Sequence, residues 1–177
     1  ILQELIDENP FAIRALLKIV AVEFTGTVPT LAVTADEQPR LLINLDFVNR
    51  YCRTPEQVKA ALCHEFLHVL LRHTTLKGPL TPARHLALDA VINAIIHRQL
   101  GEKYSSLLAR YYRNARGLMQ LLRPLTPGEW TQHWDSRRRG GVPQWRQAWA
   151  GLYQGTVLAD DIEQLATDLT RSGSGAA

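Results

Sequence analysis

The chain has 177 residues, 46% of them apolar and 21% charged, the arithmetic of about one globular domain at roughly 150 residues per domain. Twenty Lys and Arg against 17 Asp and Glu leave a formal charge of +3, too small to imply nucleic acid as a partner. No apolar run reaches the about 18 residues that suggest a membrane span, and no charged-then-apolar leader opens the sequence, so neither a membrane protein nor a secreted one is expected.

Asn9 and Pro10 read as a cap followed by a proline at the first helical position, and the apolar residues from Phe11 to Val20 predict a helix ending near Phe24. From Val28 the pattern shortens. Leu31 and Val33, a turn around Asp36 to Pro39, then Leu41 to Leu45 predict two short strands, and with them a small antiparallel sheet over residues 28 to 46. Thr54, Pro55 and Gln57 signal a helix start with a capping box, and the helix is expected to run to about His73. Thr81 and Pro82 start a second helix that stops at Gly101, so a helical hairpin is expected at the centre of the chain. A polar helix over residues 103 to 122, a Trp-rich stretch broken by Arg137 to Arg139, an amphipathic helix over 160 to 169 and a frayed tail from 172 complete the reading. The fold class is therefore α+β, mainly helical, with the small sheet beside the first central helix.

Within that helix His64, Glu65, Phe66, Leu67 and His68 form the H-E-x-x-H pattern. Residues four apart on a helix lie one above the other, so both imidazoles can face one metal ion. Glu65 follows closely enough to reach a water on that metal without being a ligand. Ala60, Ala61, Leu62, Phe66, Leu67, Val69 and Leu70 make the helix apolar nearly all round, and buried polar groups need partners. One divalent metal satisfies all three polar residues together. The alternative is a helix whose histidines are core or capping groups.

A catalytic zinc needs a third protein ligand and an open position for water. Asp89 is the chosen candidate, because a carboxylate between Leu88 and Ala90 in an apolar helix is costly unless paired or metal-bound. His68 lies about 7–8 Å before the first helix ends and Asp89 about 10 Å after the second begins, similar heights if the helices are antiparallel. An Asp bonded to Asn93 or paired with a surface Arg is the competing account. His85 and His97 share the Asp89 stripe as alternative ligands or outer partners, and Asn93 is a candidate to orient the carboxylate. His73 is read as a cation near the negative helix end. Cys52 and Cys63 are too few for a disulfide framework and favour a reducing cytoplasm. Trp130, Trp134, Trp145 and Trp149 are read as core or interface anchors rather than a nucleic-acid platform, and Arg137 to Arg139 as a solvated loop.

Three segments resemble a known family, the bacterial metallopeptidase domain that precedes von Willebrand factor A-like domains. They are Leu42 to Val48, Leu62 to His73, and Ala87 to Asn93, and with the opening helix the likeness covers roughly residues 10 to 100. The resemblance implies a zincin-like fold for a single domain over 1 to 177, with a core over 10 to 100, a helical extension over 101 to 171 and a tail over 172 to 177. It supports Asp89 as third ligand and implies zinc-dependent hydrolysis of a peptide or protein substrate. It also implies that Leu42, Ile43 and Asn44 form the sheet edge where an extended substrate pairs; the alternatives are a central strand already paired on both sides, or a strand covered by the Trp-rich segment. No von Willebrand-type segment follows, so such a domain, or an ATPase, is expected as a separate partner. Two rival functions are a non-catalytic, metal-stabilised interaction module, and a DNA-associated peptidase with His85 in place of Asp89.

Overall fold

A computed structural model describes residues 4, 7, 19, 21–34, 37–73, 79–138 and 141–171. The expected opening helix lies outside these, except that residues 21–24 form a strand; the 172–177 tail and the Ala35–Asp36 part of the turn also lie outside. The described residues are mostly helical with one small sheet, an α+β composition. They fall into two compact units, residues 1–78 and 79–177.

The first unit holds β1 (Ala21–Phe24), β2 (Leu31–Val33) and β3 (Arg40–Ile43), then α1 (Leu45–Tyr51) and α2 (Pro55–Leu70). The strand order is β1-β3-β2. β2 and β3 are antiparallel, with Ala32 opposite Leu42. β1 runs parallel to β3, with Val22 opposite Leu41 and Phe24 opposite Ile43. The sheet is therefore mixed rather than antiparallel, because Val22 and Phe24 extend the chain where a helix end was expected. All four residues of β1 are exposed, whereas Leu31, Leu41 and Ile43 are buried.

The chain leaves β3 at Asn44, two residues before the expected strand end. Asn44 caps α1: its Oδ1 accepts from the N–H groups of Asp46 (2.9 Å) and Phe47 (3.2 Å), and its Nδ2 donates to the Val28 carbonyl at 2.7 Å. These bonds supply partners to helix donors that otherwise lack them. Thr54 caps α2 with its Oγ1 accepting from Gln57 N–H at 3.4 Å. Gln57 reaches back as expected, but its Oε1 accepts from Arg53 N–H at 2.7 Å, one residue earlier than a capping box requires. β2 packs against α2.

The second unit is built on α3 (Pro82–Leu100), started by Thr81 and stopped by Gly101 at φ +87°, a conformation that favours glycine. α4 (Glu102–Tyr111) is shorter than expected, and residues 117–122 form a 3-10 turn. The Trp-rich stretch forms two helices, α5 (Pro127–Arg138) and α6 (Gln144–Gln154), and α7 (Ala159–Arg171) closes the chain. Arg137 and Arg138 end α5 rather than sitting in a loop. Ala87, Ala90 and Ala94 give α3 a shallow face that packs with Leu121, Leu122, Trp149, Tyr153 and Ile162. Trp149 is fully buried and its Nε1 donates to the Arg123 carbonyl at 2.7 Å. Removing roughly 150–250 Å² of tryptophan surface from water is worth about 4–6 kcal/mol at about 25 cal/mol per Å². Arg123 also holds Glu129 through two bonds of 2.7 and 2.9 Å. No described helix is long and apolar enough to cross a membrane.

Candidate metal centre

His64, Glu65 and His68 all lie on α2. Glu65 is buried and the two histidines are half-buried. The four-residue spacing brings the imidazoles together with their Nε2 atoms 3.1 Å apart and ring centroids 4.8 Å apart. Tetrahedral coordination at about 2.0–2.1 Å to nitrogen sets two ligand atoms about 3.3 Å apart. The pair already has the spacing of one edge of such a polyhedron.

Past the end of α2, Arg72 adopts φ 60°, a left-handed conformation that non-glycine residues seldom take. The chain turns there so that His73 falls back on His68. Their Nδ1 atoms are 3.2 Å apart and the rings meet edge to face at 5.1 Å. His68 thus offers Nε2 to the side shared with His64 and Nδ1 to His73. A second imidazole in that place fixes the tautomer and orientation of the first, as partners behind metal ligands commonly do. Sequence reasoning gave His73 only a helix-end role. Five residues apart on an unbroken helix, the two rings point in different directions; only the helix stop and the left-handed residue bring them together.

Asp89 lies on α3 with its side chain 18% exposed, and His85 one turn earlier places Nε2 at 3.5 Å from Asp89 Oδ2. His85 is thus a partner of the carboxylate, one of the two roles expected for it. Nitrogen atoms of His64 and His68 and a carboxylate oxygen of Asp89 all lie within 4.8 Å of one another, so these three form a group that can hold a metal ion. Two imidazoles and a carboxylate are donors suited to a borderline divalent metal. If Asp89 is a ligand and His85 its outer partner, Asp89→Ala is expected to weaken metal affinity strongly and His85→Ala by about 10-fold to 100-fold at most. Competition with a chromophoric chelator measures both, and the reverse order would remove Asp89 from the ligand set.

Several expected site residues have other duties. Asn93 is fully buried and its Nδ2 donates to the Leu122 carbonyl at 3.0 Å, a packing bond to the 3-10 turn. His97 meets Ser105 Oγ through Nδ1 at 2.8 Å and packs edge to face on Tyr153. Burial holds its pKa below the ordinary histidine value, against the opposing pull of Glu102. Leu42, Ile43 and Asn44 do not form an edge: β3 is the central strand, paired with β1 and β2, and Asn44 is spent on capping α1. The first alternative to a substrate edge, a strand paired on both sides, is the one found. Cys52 and Cys63 are free thiols. Burial pushes Cys63 up to about 12, only partly offset by Lys59, which leaves it a protonated thiol beside His64 and no metal ligand. No protein family, curated protein or solved structure matches this chain.

Proposed function

We propose that this chain is a zinc-dependent metallopeptidase of zincin-like type, with His64, His68 and Asp89 as metal ligands and Glu65 as general base. The observation that carries the reading is the His64 and His68 Nε2 pair, 3.1 Å apart on a helix that also presents a buried glutamate next to the first histidine. Zinc held by these ligands supplies a Lewis acid that brings the pKa of a water toward about 7. Glu65 accepts a proton from the attacking water at its carboxylate and returns it to the leaving amine as the peptide bond breaks. Its position on α2, a residue from His64, keeps it beside the reacting centre. His73 and His85 hold His68 and Asp89 in the orientations that ligation needs.

An extended substrate is assigned to β2 in place of β3. β2 is an edge strand and packs against α2, the helix that bears the motif. Asn44 N–H donates to the Thr30 carbonyl and Thr34 N–H to the Arg40 carbonyl, so the alternation of an antiparallel pair turns the backbone groups of Val33 and the N–H of Leu31 away from β3. A peptide added along that edge is read through its backbone, which gives loose sequence preference. Two free cysteines fit a reducing compartment, and the cytoplasm is assigned on that ground. A von Willebrand A-like or ATPase partner belongs to the same proposal and rests on the family resemblance.

The test is chelation and restoration on a mixed peptide library. Hydrolysis present in the zinc-loaded chain, lost on chelation and restored by zinc, is the expected result. Stoichiometric zinc with no cleavage of any peptide would reassign the centre to a structural role.

A further inference from the structure

The second unit contains a cavity of about 340 Å³ walled by α5, α6 and the start of α7. None of its lining residues belongs to the metal centre. Its volume lies at the lower end of the range for small-molecule sites. His133 and Arg137 of α5, Gln144 and Gln147 of α6 and Asp161 of α7 supply its polar lining.

His133 is only 3% exposed, and its Nδ1 has no hydrogen-bond partner among the described residues. Nε of Arg146, next to Gln147 on α6, is likewise buried with no hydrogen-bond partner there. Burial holds the His133 pKa below its ordinary value, and the positive charges of Arg137 and Arg146 hold it down further, which places both guanidiniums within electrostatic reach of the ring. Each guanidinium lies over a tryptophan, Arg137 on Trp134 at 5.8 Å and Arg146 on Trp145 at 5.9 Å, and no described carboxylate forms an ion pair with either. Asp161 does not neutralise them, because its Oδ2 accepts from the Leu158 N–H at 2.9 Å and caps α7. A neutral imidazole can still carry its proton on Nδ1 and donate it. An idle buried donor beside two cations without carboxylate partners is costly in an empty cavity and favourable next to an anion.

We propose that this cavity binds a small molecule through an oxyanion group, a phosphate or a carboxylate, with Arg137 supplying charge and His133 Nδ1 a hydrogen bond. The cavity exceeds the volume of one such group, so the oxyanion is the anchoring end of a larger ligand.

Inorganic phosphate and succinate, titrated separately into the full chain, test this and distinguish the two sources. Calorimetry reads the affinity, and tryptophan fluorescence reports the site, since the Trp134 and Trp130 rings lie 5.5 and 6.1 Å from that of His133. Saturable binding of at least one probe in the millimolar range is expected, weakened about 10-fold to 100-fold by Arg137→Ala and by His133→Gln. Arg137 is exposed, so its variant should unfold at the wild-type temperature without ligand and carries the decision if His133→Gln does not fold. Failure of both probes to saturate below about 10 mM, or unchanged affinity in either folded variant, overturns the proposal.

Discussion

Glu65→Gln is expected to lower peptide hydrolysis by about 10²-fold to 10⁴-fold, the usual contribution of a positioned general base, while zinc content and thermal unfolding stay at wild-type values. Gln has nearly the shape of Glu, so the buried position on α2 is refilled without a cavity. The amide keeps its place beside His64 but cannot accept the proton of the attacking water. Loss of activity with the metal retained therefore separates a proton-transfer role from a ligand role, which removal of a histidine cannot do. The measurement is kcat/KM on a peptide that the wild-type chain cleaves, with zinc determined on the same sample. Cleavage that survives at the wild-type rate in a protease-free preparation would exclude Glu65 as the base.

The second large effect is expected for His68→Ala, which should take bound zinc from one per chain to near none. His68 faces His64 through one nitrogen and His73 through the other, so its removal deletes a ligand and leaves His73 with nothing to orient. A metal that binds only the folded chain stabilises it by about 4 kcal/mol when present at about 1,000 times its dissociation constant. At about 2–4 °C per kcal/mol for a chain of this size, the zinc-loaded wild type should unfold roughly 10 °C above the variant. With both proteins stripped of metal the gap should shrink to the small packing loss of a half-buried ring. Equal zinc content in wild type and variant would sink the motif assignment, and a gap that persists without metal would assign His68 to packing.

What the sequence by itself determined was whatever is encoded within a turn or two of chain. The H-E-x-x-H spacing places His64 and His68 on one helical face because the helix repeats every 3.6 residues. Thr54 with Pro55 and Thr81 with Pro82 mark helix starts because a side-chain oxygen is needed there and a proline N–H is not. Asp89 could be singled out because a carboxylate in an apolar helix needs compensation.

Only the tertiary structure decided the rest, since those features depend on residues far apart in sequence. Strand pairing set β3 at the centre of a mixed sheet, and nothing in Leu41, Leu42 and Ile43 alone reveals that Ala21–Phe24 adds on one side and Leu31–Val33 on the other. Asn44 and Asn93, both polar and near the motif segments, were claimed by the helix donors after β3 and by the Leu122 carbonyl. His73 reached His68 through one left-handed residue, a backbone state that Arg72 does not announce. The His133 cavity exists because α5, α6 and α7 meet around it. Hydrogen bonds along a helix repeat locally and leave a periodic trace, whereas sheet order and cavities arise from pairings of distant segments that no local pattern records.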